Sequence, residues 1–123
     1  MQVLAFENFG KVWATDAVEH LKLKPEVISA PWGEWPDTSA VDPAKDLVFP
    51  WNGTTSGVRV PDADFIAADR EGLTICDATS AAFAMPLDWT VMSVLGTLMV
   101  LLYGHIRMVL YHRMHRSVQA QEW

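Results

Sequence analysis

Three of the four histidines and the single cysteine of this sequence are the side chains whose types and places could bind a metal or attack an electrophile. His112 and His115 stand three residues apart, on one face if that stretch is helical, and His105 lies two turns earlier. Neutral imidazoles at such spacing hold a metal when a carboxylate or thiolate completes the set, and none stands beside them. His105 lies inside an apolar run, where a lone imidazole serves either as an axial ligand to a tetrapyrrole or as a buried, hydrogen-bonded group. It is the weak metal candidate of the sequence. Cys76 ends the run Leu73-Thr74-Ile75-Cys76, where a thiol is a nucleophile if exposed and an inert filler if buried. Being the single cysteine, it makes no internal disulfide. Three further residues have both a structural and a chemical reading. Asp77 caps a following turn or helix, Thr54 is a turn former, and Trp13 is a core anchor on an amphipathic helix, unless a ligand claims them.

The elements that must position these groups follow from the apolar pattern. Val3 to Phe6 is a short apolar run, and Val12 to Leu23 places Val12, Trp13, Ala17, Val18 and Leu21 on one helical face, closed by Lys24 and Pro25. Glu26 to Ala30 is a second β-branched run. After it, Pro31, Gly33, Pro36, Asp37 and Pro43 mark a loop-rich passage. Leu47 to Trp51 reads as a third strand, Asn52 to Gly57 is all turn formers, and Leu73 to Cys76 is a fourth strand that runs into Asp77. Continuous apolar runs with little alternation predict an α/β fold with a parallel sheet, whose functional groups gather at the carboxyl ends of the strands. Asn52 and Asp77 sit at such ends. Pro50, inside a strand, is expected to remove a ladder bond and weaken the sheet.

At 123 residues and 13.7 kDa the chain holds one ordinary domain, or a small domain with an appendage. Half of it is apolar and 20% is charged, with a mean hydropathy of +0.12, which excludes a disordered or collagen-like polymer. A net charge of −6 and a pI near 5.0 argue against nucleic acid as a partner. The charge is split. Residues 1–88 hold six lysines and arginines against fourteen acids, a net of −8, whereas residues 89–123 carry Arg107, Arg113 and Arg116 against Glu122, a net of +2.

Trp89 to Ile106 holds no formal charge over eighteen residues, the lower end of the ~17–25 needed to cross a bilayer. Residues 89–111 are therefore expected to form one long apolar helix, with Gly96, Gly104, Ser93 and Thr97 as small interface residues. Such a helix spans a membrane, lies in its interface or packs on a partner. The lipid bilayer or a membrane complex is then its partner, and the basic end stays inside. The N-terminal MQVLAFENFGKVW has no basic leader or cleavage site, so targeting is expected to rest on 89–123, and the lone cysteine suits an intracellular head.

The stretch DLVFPWNGTTSGVRVPDADFIAADREGLTICDATSAAFAMPLDW, together with AFENFGKVWATDAVEHLKLK near the N-terminus, resembles the phosphoserine aminotransferases of serine biosynthesis, pyridoxal-phosphate enzymes of fold type I. The resemblance covers residues 1–88 and implies a partial parallel sheet of the pyridoxal-phosphate transferase large domain, a cytoplasmic head and a homodimeric family. The unrelated apolar segment 89–123 would follow it. It further implies that Trp13 stacks on the cofactor ring and that Thr54 reaches the phenolic oxygen or phosphate region. Asp77 would keep the pyridine nitrogen protonated, so that the ring can draw electrons from the substrate. In the family, a further strand ends in a serine-tryptophan-glutamine-lysine motif whose lysine anchors the cofactor covalently. No lysine follows Lys45 here. The resemblance thus implies a truncated relative that does not by itself move the amino group between glutamate and 3-phosphohydroxypyruvate. A small single-span accessory subunit of a membrane complex is the alternative.

Overall fold

The computed structural model describes residues 1–82, 84–88, 90–92, 94–100 and 106–112. Six strands form one sheet: β1 (Gln2–Ala5), β2 (Glu26–Ser29), β3 (Leu47–Pro50), β4 (Thr74–Asp77), β5 (Val94–Val100) and β6 (Ile106–His112). Their order is β2-β1-β3-β4-β5-β6. All neighbours are parallel except β5 and β6, which pair antiparallel. Every residue of β1 and β3 is buried, as central strands without alternation require. One face of these strands carries Leu4, Phe6, Leu47, Phe49, Trp51 and Cys76, which with Val60, Ile66, Ala78, Ala81 and Met92 make the core. Trp35 and Phe65 close that face by edge contacts, Phe6 to Trp35 at 4.9 Å, Trp35 to Phe65 at 5.6 Å and Phe49 to Phe65 at 5.6 Å between ring centres.

The opposite face receives α1 (Asn8–Glu19), which begins and ends four residues earlier than the apolar pattern predicts. Its start is set by Glu7, whose side chain accepts the Gly10 amide at 2.8 Å. Only Gly10 and Ala17 of the helix are buried, two turns apart on one stripe. Gly10 has to be small: a β-carbon there would stand 2.7 Å from the Leu4 carbonyl oxygen. Val12, Val18 and Leu21, expected to face the sheet, are at least half exposed. The helix therefore lies on the strands through its smallest residues, and the larger apolar ones flank the contact.

Pro50 does not disturb the pairing of β3 with β4. Leu47 and Trp51 donate their amides to Leu73 and Asp77 carbonyls, both at 2.8 Å, so odd-numbered donors of β3 point to β4 and even-numbered ones to β1. The β1 ladder stops at Val3 opposite Val48, two residues short of Pro50. The proline thus stands where a donor has no strand to bond, and the expected weakening does not arise.

The apolar segment departs from the expectation of one long helix. Residues 94–100 and 106–112 are strands, and among the described residues no helix is long and apolar enough to cross a membrane. An all-apolar run has no periodicity to separate helix from strand, and the open edge of β4 offers backbone donors and acceptors that a strand satisfies. Accordingly β5 pairs with β4 from Ile75 opposite Val94 to Asp77 opposite Gly96. His105 and His115 lie outside the described residues.

At the amino end of the sheet, buried Gln2 donates to Glu26 at 3.0 Å and to the Ala40 carbonyl at 2.9 Å, and accepts the Asp42 amide at 2.8 Å. Lys45 binds Glu26 at 2.9 Å and Asp42 at 3.5 Å. The Lys45 bond holds the Glu26 carboxyl below its usual range, and the Ala44 amide does the same for Asp42. A carboxylate lowered in the folded state stabilises the fold above its unfolded value, near pH 4, and that contribution is lost as pH falls through the folded value. Thermal unfolding measured from pH 7 to pH 2 is thus expected to show stability falling below about pH 4. Lys45→Met should shrink the Glu26 part of the profile most and the Asp42 part less, since the Ala44 amide still holds that carboxylate. Gly72 gives a sharper test, since a β-carbon there would sit 2.1 Å from the Lys45 carbonyl oxygen. Gly72→Ala is expected to cost about 2–3 kcal/mol in denaturant titration, because backbone has to move.

Candidate cofactor-binding site

The parallel register of β3 and β4 brings two turns to the same level at the carboxyl edge. Pro50 pairs with Asp77, and the Trp51 amide closes the ladder on the Asp77 carbonyl. Beyond Trp51 the chain folds into a tight loop in which Gly53 donates to the Val58 carbonyl at 2.6 Å and its carbonyl accepts from Ser56 and Gly57 at 3.1 and 2.8 Å. Gly57 adopts a positive φ of 77°, the conformation that favours glycine. Beyond Asp77, Ala81 and Ala82 donate to the Ala78 carbonyl at 3.0 and 2.9 Å, a helical turn opened by the aspartate.

Side chains tie these two turns together. Ser80 donates its hydroxyl to Asn52 Oδ1 at 3.0 Å, and Thr54 Oγ1 lies 2.8 Å from the Ser80 hydroxyl. A hydroxyl has one proton, so with Ser80 donating to Asn52 the Thr54 hydroxyl donates to Ser80. Asp77 is half-buried, and its Oδ1 accepts both the amide of Thr79 at 2.9 Å and its hydroxyl at 2.5 Å. This is an Asx turn that fixes the carboxylate at the strand end. Cys76 beside it is fully buried, and burial pushes its thiol far up, with the Asp77 charge adding to the effect. That makes it a filler rather than a nucleophile.

Of the residues singled out in the sequence, the structure thus sets Thr54 and Asp77 on adjacent turns: Thr54 bonds Ser80 on the turn that follows Asp77, and the Asp77 carboxylate bonds Thr79. Trp13 stands on α1, a little over a third exposed, and takes part in none of the ring contacts among the described residues. His105 lies outside the described residues. Glu7, Thr79 and Ser80 were not legible as site residues. An Asp-x-Thr spacing marks the turn at Asp77, whereas glutamate ranks outside the usual helix caps, so nothing drew attention to Glu7.

The cluster fits one part of a pyridoxal-phosphate site and not another. An acceptor-only carboxylate at a strand end suits a protonated ring nitrogen, and a hydroxyl chain on the adjacent turn suits an oxygen-rich ligand. Among the described residues no amine is hydrogen-bonded to these side chains. Lys45 is engaged with Glu26 and Asp42 at the opposite end of the sheet, and Lys22 reaches the Glu19 carbonyl at 2.6 Å. β5, which occupies the parallel position beside β4, contains no lysine.

The parallel α/β sheet resembles that of a pyridoxal-phosphate transferase domain. A solved phosphoserine aminotransferase from Cytophaga hutchinsonii superimposes with a TM-score of 0.68 over 79% of this chain and 28% of its own, at 23% identity, which establishes the fold. In sequence the chain is a partial relative of the phosphoserine aminotransferases. It is 53% identical over 96 residues to that of Methanosarcina mazei, covering 77% of the chain and 26% of the relative. It is 54% identical over 90 residues to that of Methanosarcina barkeri, covering 72% and 24%. The chain therefore spans about a quarter of the length of these relatives. No family model matches it.

Proposed function

We propose that residues 1–88 are a cofactor-facing slice of a phosphoserine aminotransferase large domain that holds pyridoxal phosphate without a covalent bond. On this reading the chain does not by itself transfer the amino group between glutamate and 3-phosphohydroxypyruvate. The observation that carries the reading is that the turns bearing Thr54 and Asp77 emerge side by side from two paired strand ends and are joined by Ser80, which bonds Thr54 and Asn52 across them. Bound pyridoxal phosphate supplies an electron-withdrawing ring. Asp77 holds the proton at the ring nitrogen, Thr54 orients the ring from the neighbouring turn, and Trp13 covers one ring face. The lack of any lysine after Lys45 supports inactivity. The relatives' name supports a place in serine biosynthesis, and the family resemblance carries the expectation of a cytoplasmic setting and a homodimeric partner. The membrane-subunit alternative loses its support with the predicted helix.

Titration of the chain with pyridoxal phosphate, followed by tryptophan fluorescence, tests this reading. Binding is expected to saturate, and Asp77→Asn to weaken it about ten- to a hundredfold, as expected for losing a hydrogen bond between charged groups of ~1.5–3 kcal/mol. Borohydride should trap no single lysine adduct. Equal binding by Asp77→Asn, no binding by the parent chain, or turnover of phosphoserine with 2-oxoglutarate would overturn the proposal.

A further inference from the structure

Glu7 is the only acidic side chain that is fully buried among the described residues. It lies between two elements that the chain brings together from distant positions. One carboxylate oxygen, Oε1, accepts the Gly10 amide at 2.8 Å, inside the first turn of α1. The other, Oε2, accepts the Thr55 hydroxyl at 3.3 Å, on the turn that carries Thr54. The stem of the side chain is part of the same joint. A β-carbon on Gly53 would stand 2.8 Å from Glu7 Cγ and 3.0 Å from Glu7 Cβ, so the turn backbone rests directly on it. A serine or aspartate, the usual caps, would serve Gly10 but would be too short to reach Thr55 as well. The choice of glutamate matches the two bonds it makes.

We infer that Glu7 is a positioning residue for the candidate cofactor site, its two carboxylate oxygens setting the helix turn that leads to Trp13 and the loop that carries Thr54 at a fixed distance from each other. This rests on the proposed function for what the two elements are held ready to do. A buried acceptor whose two oxygens are engaged by different elements restrains their relative placement, which a single cap does not.

Two measurements on the full chain test it, with pyridoxal phosphate itself as the probe. In the titration, Glu7→Ala is expected to weaken binding about tenfold, as for losing a buried hydrogen bond, and Thr55→Val about threefold. The double variant should be no weaker than Glu7→Ala alone. Glu7→Gln should stay within about threefold of the parent, because its carbonyl still accepts from Gly10 and its amide donates to the Thr55 oxygen. In amide hydrogen exchange without cofactor, Glu7→Ala should speed exchange in residues 8–11 and 52–58 together, and Thr55→Val in 52–58 alone. If Asp77→Asn weakens binding while Glu7→Ala and Thr55→Val leave it unchanged, Glu7 is a helix cap only and the inference fails with the proposed function intact. If the parent chain takes up no pyridoxal phosphate, the proposed function fails. Hydrogen exchange then decides the inference alone, and an effect of Glu7→Ala confined to 8–11 overturns it. Should Glu7→Ala not fold, Thr55→Val and Glu7→Gln give the same decision.

Discussion

The site depends on the alignment of two parallel strand ends. Because β3 and β4 run in register up to Pro50 and Asp77, the turns that follow them emerge side by side, and short side chains are long enough to bridge them. Ser80 stands 26 and 28 residues from Thr54 and Asn52 yet bonds them at 2.8 and 3.0 Å. A slip of one residue would turn Asp77 to the other face of the sheet and break every one of these contacts. The core beneath, with Phe49, Trp51 and Cys76 on one side, makes such a slip costly, since it would also carry those groups out of the core.

The sheet's two ends do different work. The amino end is held by a polar network around Gln2, with Glu26, Asp42 and Lys45 bound to one another. Arg70 joins it through the carbonyls of Gly72, Asp42 and Lys45. Its role is architectural: it anchors the loop between β2 and β3 and the entry to β4. The carboxyl end spends its polar groups on turns that leave short hydroxyls and a carboxylate near the surface, an arrangement suited to meeting a ligand. Charge is thus neutralised at one end and kept available at the other.

Much of this was legible from residue types. The four N-terminal strands, their parallel direction, and Asn52 and Asp77 at strand ends followed from apolar runs without alternation. Thr54 and Asp77 were singled out by the likeness to transaminases, and their adjacent turns follow from the register of β3 and β4. The helix was legible in kind but misplaced, because its start is fixed by a glutamate acting as cap and its contact by Gly10, a residue that leaves no mark in an apolar pattern. The segment after residue 88 was misread because eighteen uncharged residues satisfy a helix and a strand equally. What decided the matter was an unfilled sheet edge, a property of the fold and not of the segment. Glu7 was invisible for a related reason, since its two partners come from places 3 and 48 residues away and only the fold makes them neighbours.

Pro50 has one consequence beyond its own strand. Toward β1 it has no amide to offer, and none is called for, since the pairing of β1 with β3 already ends at Val48. The first turn of α1 lies against that place, with Gly10 facing the Leu4 carbonyl, the Ala5 backbone and the proline ring. An ordinary residue at position 50 would turn an amide toward this place with no β1 partner for it; the proline leaves no donor there to satisfy.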